Sequence, residues 1–125
     1  MSAAYDSENI FAKILRGEIP CDKLYEDEAA LAFRDISPAA PSHILVIPKI
    51  FVTSFHDFAM HNTNAMGAFF KSVQKVATQE GLSESGYRLI TNHGADANQT
   101  VPHFHVHILG GINLGGLVQK DSQKR

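Results

Sequence analysis

The sequence predicts an α+β fold in which two helices pack on a mainly antiparallel sheet of about five short strands. Short apolar runs have strand character, and one long amphipathic segment has the helical spacing needed to cross a sheet face. Only short connections join the last four elements, which favours antiparallel pairing. A chain of 125 residues suits a single domain, predicted to span residues 1–125.

The two predicted helices have recognisable ends. In the first, Ser7 is the expected N-cap, and Gly17 ends the helix. The second covers about residues 62–80, where apolar residues recur at helical spacing, and Gly81 stops it. Residues 51–61 fit a loop with one helical turn.

The predicted strands lie at residues 23–25, 29–36, 43–48, 86–92 and 103–109. The third strand contains a continuous apolar run, which predicts burial on both faces of the sheet. We expect a second copy of the chain to extend the sheet, because an unpaired strand edge invites pairing.

Composition excludes several classes of protein. The formal net charge of −2 provides no broad basic field for nucleic acid. Cys21 is the single cysteine, so neither an intramolecular disulfide nor a multi-cysteine zinc site can form. Residues 1–11 lack the basic and apolar regions of a secretory signal, and no apolar run approaches the roughly 18 residues of a membrane helix. We therefore expect a cytoplasmic protein that binds neither nucleic acid nor membrane.

Three histidines stand at alternate positions of the fifth predicted strand. His103, His105 and His107 alternate with apolar residues. Because strand side chains alternate between faces, the three imidazoles are predicted to share one face. Same-face neighbours on a strand lie about 6.6–6.8 Å apart. That spacing would let the imidazoles surround one small anionic group.

Three uses fit this pattern. The imidazoles could form the solvated face of an edge strand, although ordinary strands rarely align three histidines. They could bind zinc, for which three histidines are a known catalytic ligand set. They could also act on a phosphorus centre, because imidazole has an unperturbed pKa of about 6.5 and is a free nucleophile at neutral pH. A neighbouring imidazolium can then stabilise phosphate charge and protonate a leaving group.

Residues 103–109, with the sequence His-Phe-His-Val-His-Ile-Leu, resemble the signature of the histidine triad (HIT) hydrolases. The similarity spans residues 9–111 and fits the Hint branch of purine nucleoside phosphoramidase-like proteins. It runs through residues 9–14, 17–20, 32–38, 41–49, 92–94 and 99–101. The remaining residues 112–125 form a variable tail that lacks the tryptophan of some Hint proteins.

The resemblance implies the HIT fold, a homodimer with two separate active sites, and chemistry that needs no metal or organic cofactor. It implies that His105 is the nucleophile and forms a nucleotidyl-histidine intermediate. His107 would contact the phosphate and the leaving group as an acid, and the backbone carbonyl of His103 would fix the tautomer of His105. His43 matches a fourth active-site histidine of the family, although a histidine at a strand end is by itself more often structural.

The same resemblance implies a nucleotide-binding set. Asp35 would accept hydrogen bonds from the ribose hydroxyls. The other members are Phe11, Ile14, Phe33, Ile36 and Leu45 for the base, together with Asn92, Gln99, Thr100 and Val101. Each has a plainer interpretation, since Asp35 and Asn92 are common turn residues, Thr100 can simply start a strand, and the apolar residues can be core. Family members often have serine and a bulky residue where this chain has Thr100 and Pro102, so the leaving-group preference stays open.

The sequence therefore predicts hydrolysis of nucleoside 5′-phosphoramidates, such as adenosine 5′-monophosphoramidate, or of acyl adenylates. The expected partners are a purine nucleotide and a second copy of the chain. Two alternatives remain: a metal-dependent hydrolase that uses the three strand histidines as ligands, and a nucleotide-binding regulatory protein with vestigial catalysis. The histidines outside the matched set, expected at the surface, are His56, His61 and His93.

Overall fold

The computed structural model describes residues 4–118, whose core is a five-stranded sheet with the strand order β1-β2-β3-β5-β4. The strands are β1 (Lys23–Glu26), β2 (Ala30–Arg34), β3 (Ser42–Pro48), β4 (Tyr87–Ile90) and β5 (Val106–Gly110). Every neighbouring pair is antiparallel. The prediction of an α+β fold with about five mainly antiparallel strands is confirmed. The expected second copy of the chain stays a prediction, and the end of the tail, residues 119–125, lies outside the described residues.

Three α-helices accompany the sheet where the sequence predicted two. They are α1 (Ile10–Leu15), α2 (Phe55–His61) and α3 (Thr63–Gln79), and a short 3₁₀ helix spans Ala95–Ala97. The additional helix, α2, lies in the segment predicted to be a loop with one helical turn. Phe58 is fully buried there, and its ring packs on Phe69 of α3 with centroids 5.9 Å apart. Tertiary packing of this kind stabilises a helix whose local sequence signal is weak.

The N-cap of α1 differs from the prediction. The cap is Asn9, whose side-chain oxygen accepts a hydrogen bond from the backbone N–H of Ala12 at 2.9 Å. Ser7 is exposed and lies before the cap. Asparagine caps as well as serine does, and the cap belongs to the residue directly before the first helical one. The predicted stop at Gly17 is confirmed, because its φ of +78° is the left-handed conformation that glycine adopts after a helix.

The two faces of the sheet carry cores of different size. Helices α2 and α3 cover one face over the larger core cluster, which includes Ile44, Val46, Phe104, Val106 and Ile108. The other face carries a smaller cluster of Phe11, Leu31, Phe33, Leu45 and Ile47. Strand β3 contributes to both clusters and is buried from His43 to Pro48, as its apolar run predicted. Because α1, a short helix, is the only described helix on the second face, room for a ligand remains there.

The histidine segment is shorter as a strand than the sequence predicted. The strand was expected from residue 103, but β5 begins at Val106. The backbone before it turns away from the ladder, and the N–H of Phe104 donates instead to the carbonyl of Val52 at 2.8 Å. The alternation survives nonetheless, since Phe104 and Val106 lie in the larger core while His105 and His107 line a cavity on the opposite face.

Two other strands also end earlier than predicted. Strand β2 stops at Arg34 and β4 at Ile90, which places Asp35 and Asn92 on loops. Across residues 4–118, no helix combines the length and the apolar character needed to cross a bilayer.

Candidate active site

A cavity of about 450 Å³ lies beside α1 on the face that carries the smaller core. Many of the residues that the sequence assigned to catalysis or nucleotide binding line it: Phe11, Ile14, Phe33, Asp35, Ile36, Leu45, Asn92, Thr100, Val101, His105 and His107. His43, His103 and Gln99 do not line the cavity. His43 and His103 instead contact histidines that line it, and Gln99 holds the loop between β4 and β5 beside it.

His105 is held with one ring nitrogen free. Its Nδ1 lies 2.7 Å from the backbone carbonyl oxygen of His103. A carbonyl only accepts, so Nδ1 bears the proton and Nε2 keeps an unprotonated lone pair. The ring is buried and packs against the ring of Phe11 with centroids 4.9 Å apart. Burial lowers the pKa of His105, partly offset by its bond to the His103 carbonyl and by the charge of Asp35. The neutral, nucleophilic form is therefore favoured at neutral pH.

His43 and His107 form a directed hydrogen-bond chain. The backbone N–H of Ala39 donates to Nδ1 of His43 at 2.9 Å, so neutral His43 carries its proton on Nε2. That nitrogen lies 2.8 Å from Nδ1 of His107 and donates to it. Neutral His107 must then carry its own proton on Nε2. Burial, followed by repulsion from His105 and His43, lowers the pKa of His107 to about 4.

His103 lies behind His105 rather than at the cavity wall. Its side chain is fully buried, and Nε2 lies 3.0 Å from the carbonyl oxygen of Pro48. Burial lowers its pKa to about 4. The expectation that three imidazoles surround one anion is therefore wrong for His103, because the segment before β5 leaves the regular strand. Its carbonyl, however, fixes the tautomer of His105 as the resemblance implied.

Asp35 joins the end of β2 to the histidine chain. Its Oδ1 accepts from the backbone N–H of Ser37 at 2.7 Å, which is the turn role expected of such a residue. Its Oδ2 lies 3.5 Å from Nε2 of His43. The carboxylate also lines the cavity. Asp35 can therefore hold the turn and still contact a ligand in the cavity.

The apolar wall of the cavity is also part of the smaller core. Phe11, Phe33 and Leu45 are buried, and the rings of Phe11 and Phe33 meet edge to face with centroids 5.9 Å apart. Ile36 lies at the rim and is 96% exposed. For Phe11, Phe33 and Leu45, the two interpretations that the sequence left open, core and pocket, therefore both hold, whereas Ile36 is not part of the core.

The loop between β4 and β5 forms another part of the wall. Asn92 lines the cavity, and its amide donates to the carbonyl of Ala97 at 2.7 Å. Gln99 holds the loop: its side-chain oxygen accepts from the N–H of Gly94 at 3.0 Å, and its amide donates to the carbonyl of Thr53 at 2.8 Å. Both amides therefore shape the loop in this conformation, and only Asn92 reaches the cavity.

Sequence reasoning missed several lining residues: Ile10, Ile19, Pro20, Cys21, Asp22, Arg34 and Asn98. Asn98 had a usable signal, because an asparagine in a turn-rich loop often adopts the left-handed conformation, here with φ of +59°. Residues 19–22 gave none, since the sequence shows there only a connection after a helix stop.

The geometry favours one metal-ligand group over the three strand histidines. Among the described residues, Asp35, His43 and His107 are the group whose ligand atoms lie within 4.8 Å of one another. His103 cannot join His105 and His107 as predicted for the metal alternative, because both of its ring nitrogens already have partners. A metal at the other group would have to break the hydrogen bond between His43 and His107.

The fold and the buried histidines together indicate one family of proteins. The HIT domain family profile matches residues 16–114, and the chain belongs to the HIT family. The chain is 47% identical over 111 residues to purine nucleoside phosphoramidase of Escherichia coli K12, covering 89% of this chain and 93% of that protein. It is 50% identical over 121 residues to a 13.2 kDa HIT-like protein of Azospirillum brasilense, covering 96% and 99%.

Solved structures agree with this assignment. A HIT family hydrolase from Clostridium thermocellum superposes with a TM-score of 0.83 at 42% identity, covering 90% of this chain and 97% of that one. A histidine triad protein from Clostridium difficile gives a TM-score of 0.83 at 40% identity, covering 90% and 98%. The predictions of the family, the fold and an enzyme of the HIT class are confirmed by these matches.

Proposed function

We propose that this chain hydrolyses nucleoside 5′-phosphoramidates, with adenosine 5′-monophosphoramidate as the representative substrate, through a nucleotidyl intermediate on His105. Nucleotide hydrolysis is consistent with the HIT family and with a relative named purine nucleoside phosphoramidase. The observation that supports the proposal most directly is the tautomer of His105. Its Nδ1–H donates to the His103 carbonyl at 2.7 Å, and its free Nε2 belongs to a ring that lines the cavity.

In the first step, Nε2 of His105 forms a bond to phosphorus while the bond from phosphorus to the leaving nitrogen breaks. The leaving nitrogen takes a proton and departs as ammonia or an amine. We assign this proton to Nε2 of His107. Because a neutral imidazole would be left as an imidazolate, His107 must first become an imidazolium by taking a proton on Nδ1, and the 2.8 Å hydrogen bond that Nδ1 accepts from His43 in this structure then has to break. The anionic phosphate raises the pKa of the adjacent His107, so the proton is taken up as the substrate binds.

In the second step, water attacks phosphorus and the bond to Nε2 of His105 breaks. The proton lost by the water returns to His107, which now acts as a base. The products are a nucleoside monophosphate and the free enzyme. The sum is the hydrolysis of one phosphorus–nitrogen bond, with no change of oxidation state.

The cavity provides complementary surfaces for the rest of the nucleotide. Asp35 can accept from the 2′- and 3′-hydroxyls of ribose, because its second oxygen has only the long 3.5 Å contact to His43. The buried rings of Phe11 and Phe33 offer an apolar wall for the base. Thr100 is exposed and lines the cavity, so its hydroxyl is available to a phosphate oxygen.

We also propose the homodimer that the resemblance implies. Strand β4 pairs with β5 on one side and is a terminal strand of the sheet. Its Tyr87 and Leu89 are 37% and 43% exposed. Exposed apolar residues on an edge strand favour pairing with another chain. Location in the cytoplasm remains a prediction from composition.

The experiment that tests the function compares His105→Ala with the unaltered protein in the presence of a chelator. We expect the unaltered protein to release AMP from adenosine 5′-monophosphoramidate and the variant to be slower by roughly 10³-fold or more. The matched control is His56→Ala, since that side chain is exposed and outside the cavity.

Each other outcome contradicts part of the proposal. If chelator abolishes the activity of the unaltered protein, the reaction depends on a metal, for which Asp35, His43 and His107 are the ligand group that the geometry allows. If the unaltered protein binds AMP yet turns nothing over, vestigial catalysis is correct. If both proteins turn over equally, His105 is not the nucleophile.

A further inference from the structure

Tyr5 lies just before α1 and packs into the back of the histidine cluster. Its ring stacks on Phe51 with centroids 5.2 Å apart and an interplanar angle of 19°. It meets His103 edge to face at 5.7 Å. Tyr5 precedes residue 16, where the match to the HIT domain profile begins. It therefore lies outside the residues that the family profile matches.

The hydrogen bonds around His103 have a defined direction. Its Nε2 lies 3.0 Å from the carbonyl oxygen of Pro48, which can only accept, so Nε2 bears the proton. Nδ1 must then accept, and the hydroxyl of Tyr5 donates to it at 2.5 Å. The hydroxyl oxygen of Tyr5 in turn accepts from the amide of Asn9 at 2.8 Å. Every polar atom of the buried ring thus has a partner.

Asn9 anchors this chain to the start of α1. Its side-chain oxygen accepts from the backbone N–H of Ala12 at 2.9 Å, and its amide also donates to the carbonyl of Asp6 at 2.7 Å. Asn9 is 6% exposed, so these bonds are shielded from water. A buried hydrogen bond that loses one partner leaves the other unsatisfied, which makes such a chain a strong constraint on orientation.

The constraint reaches the proposed nucleophile through one backbone atom. The carbonyl of His103 accepts from Nδ1–H of His105 at 2.7 Å. We propose that Tyr5 is a positioning residue for catalysis: its hydroxyl holds His103 in the Nε2–H tautomer and thereby holds the carbonyl that orients His105. This inference rests on the proposed role of His105 as nucleophile.

The test is the Tyr5→Phe variant, which keeps the stacked ring and removes only the hydroxyl. We expect kcat for adenosine 5′-monophosphoramidate to fall about tenfold, with KM changed less than about twofold, because the lost bond orients the nucleophile without touching substrate. The matched control is Tyr25→Phe, which also removes one tyrosine hydroxyl bond, the one donated to Asp27 at 2.8 Å outside the cavity. That variant should keep the kcat of the unaltered protein.

A second measurement reads the tautomer directly and does not depend on activity. In the unaltered protein, imidazole ¹⁵N chemical shifts of His103 should show a protonated Nε2 and an unprotonated Nδ1. In Tyr5→Phe they should shift toward a mixture of tautomers or toward protonation.

Two results would overturn the inference. One is a Tyr5→Phe protein with the kcat of Tyr25→Phe. The other is a slower Tyr5→Phe protein whose His103 shifts are unchanged, since Tyr5 would then be merely structural. Failure of the proposed function is distinguishable from both, because it would appear without Tyr5→Phe: as no turnover by the unaltered protein, as loss of its activity in chelator, or as full activity in His105→Ala.

Discussion

The same side chain occurs in two contrasting groups in this molecule. His43, His103, His105 and His107 form the buried group, and three of them are less than a tenth exposed. Backbone carbonyls or N–H groups fix the tautomers of the first three directly, and His43 fixes that of His107. The surface group is His56, His61 and His93, all exposed.

The surface group has contacts too, but among the described residues it has no hydrogen bond that fixes a direction. The rings of His56 and His93 approach with centroids 5.3 Å apart, and Nδ1 of His93 lies 2.7 Å from the hydroxyl of Ser54. A hydroxyl can donate or accept, so either tautomer of His93 is satisfied. Proximity of imidazoles therefore does not distinguish the buried group from the surface group. The difference lies in burial and in partners that can only donate or only accept.

The largest expected difference between the groups is in catalysis. Replacing His107 by asparagine should lower kcat by roughly 10²–10⁴-fold, because the leaving nitrogen loses its proton donor. The same change at His93 should leave kcat within about twofold. Steady-state AMP release by the two variants checks this. The comparison fails if His93→Asn is the slower protein, or if His107→Asn loses activity only through a higher KM.

The sequence predicted the side-chain directions of His105 and His107 correctly, but it did not predict where His103 lies. Alternation around His105 and His107 survives, because side-chain direction in an extended chain is a local property. The position of His103 was not predictable, since it depends on Phe104 pairing with Val52, a contact between distant segments. Helix α2 was missed for the same kind of reason: its stability depends on Phe58 packing against α3. Tyr5 carries no motif, and only the fold brings it to His103.

Acid should destabilise the fold through the buried group. Burial lowers the pKa of His103 to about 4, below the unfolded value of about 6.5. On acidification the unfolded chain takes up the proton first, so the free energy of unfolding falls as the pH drops through 6.5, and the loss is complete below about pH 4. For His103, the upper limit of this loss is about 3 kcal/mol.

Urea unfolding at pH 7 and near pH 4 measures the effect in the unaltered protein, His103→Gln and His56→Gln. The carboxylates titrate in all three, so the difference in pH dependence isolates the histidine. We expect His103→Gln to lose less stability on acidification than the unaltered protein, and His56→Gln to lose as much. Equal losses in all three would show that His103 is not kept neutral by the fold.

The smallest predicted effect comes from a comparison of two Asp–His pairs whose side chains are separated by nearly the same distance. Asp35 lies 3.5 Å from His43, and its side chain is 18% exposed at the cavity. Asp57 lies 3.7 Å from His61, whose side chain is 58% exposed. Distance alone does not separate these pairs, but only Asp35 faces the proposed ribose position. Asp35→Asn should raise KM about tenfold with little change in kcat, because a hydrogen bond to a charged group contributes roughly 1.5–3 kcal/mol.

Asp57→Asn is the matched control and should change neither constant. Its remaining oxygen can still accept from the backbone N–H of Thr53, a bond of 2.9 Å in the unaltered protein. A 2′-deoxy substrate sharpens the assignment, since it lacks one of the hydroxyls that Asp35 would bind. The KM penalty of Asp35→Asn should be smaller with that substrate, because the two changes remove parts of the same interaction. Equal penalties on both substrates would mean that Asp35 acts through the turn at Ser37 or through His43, and not on the ribose.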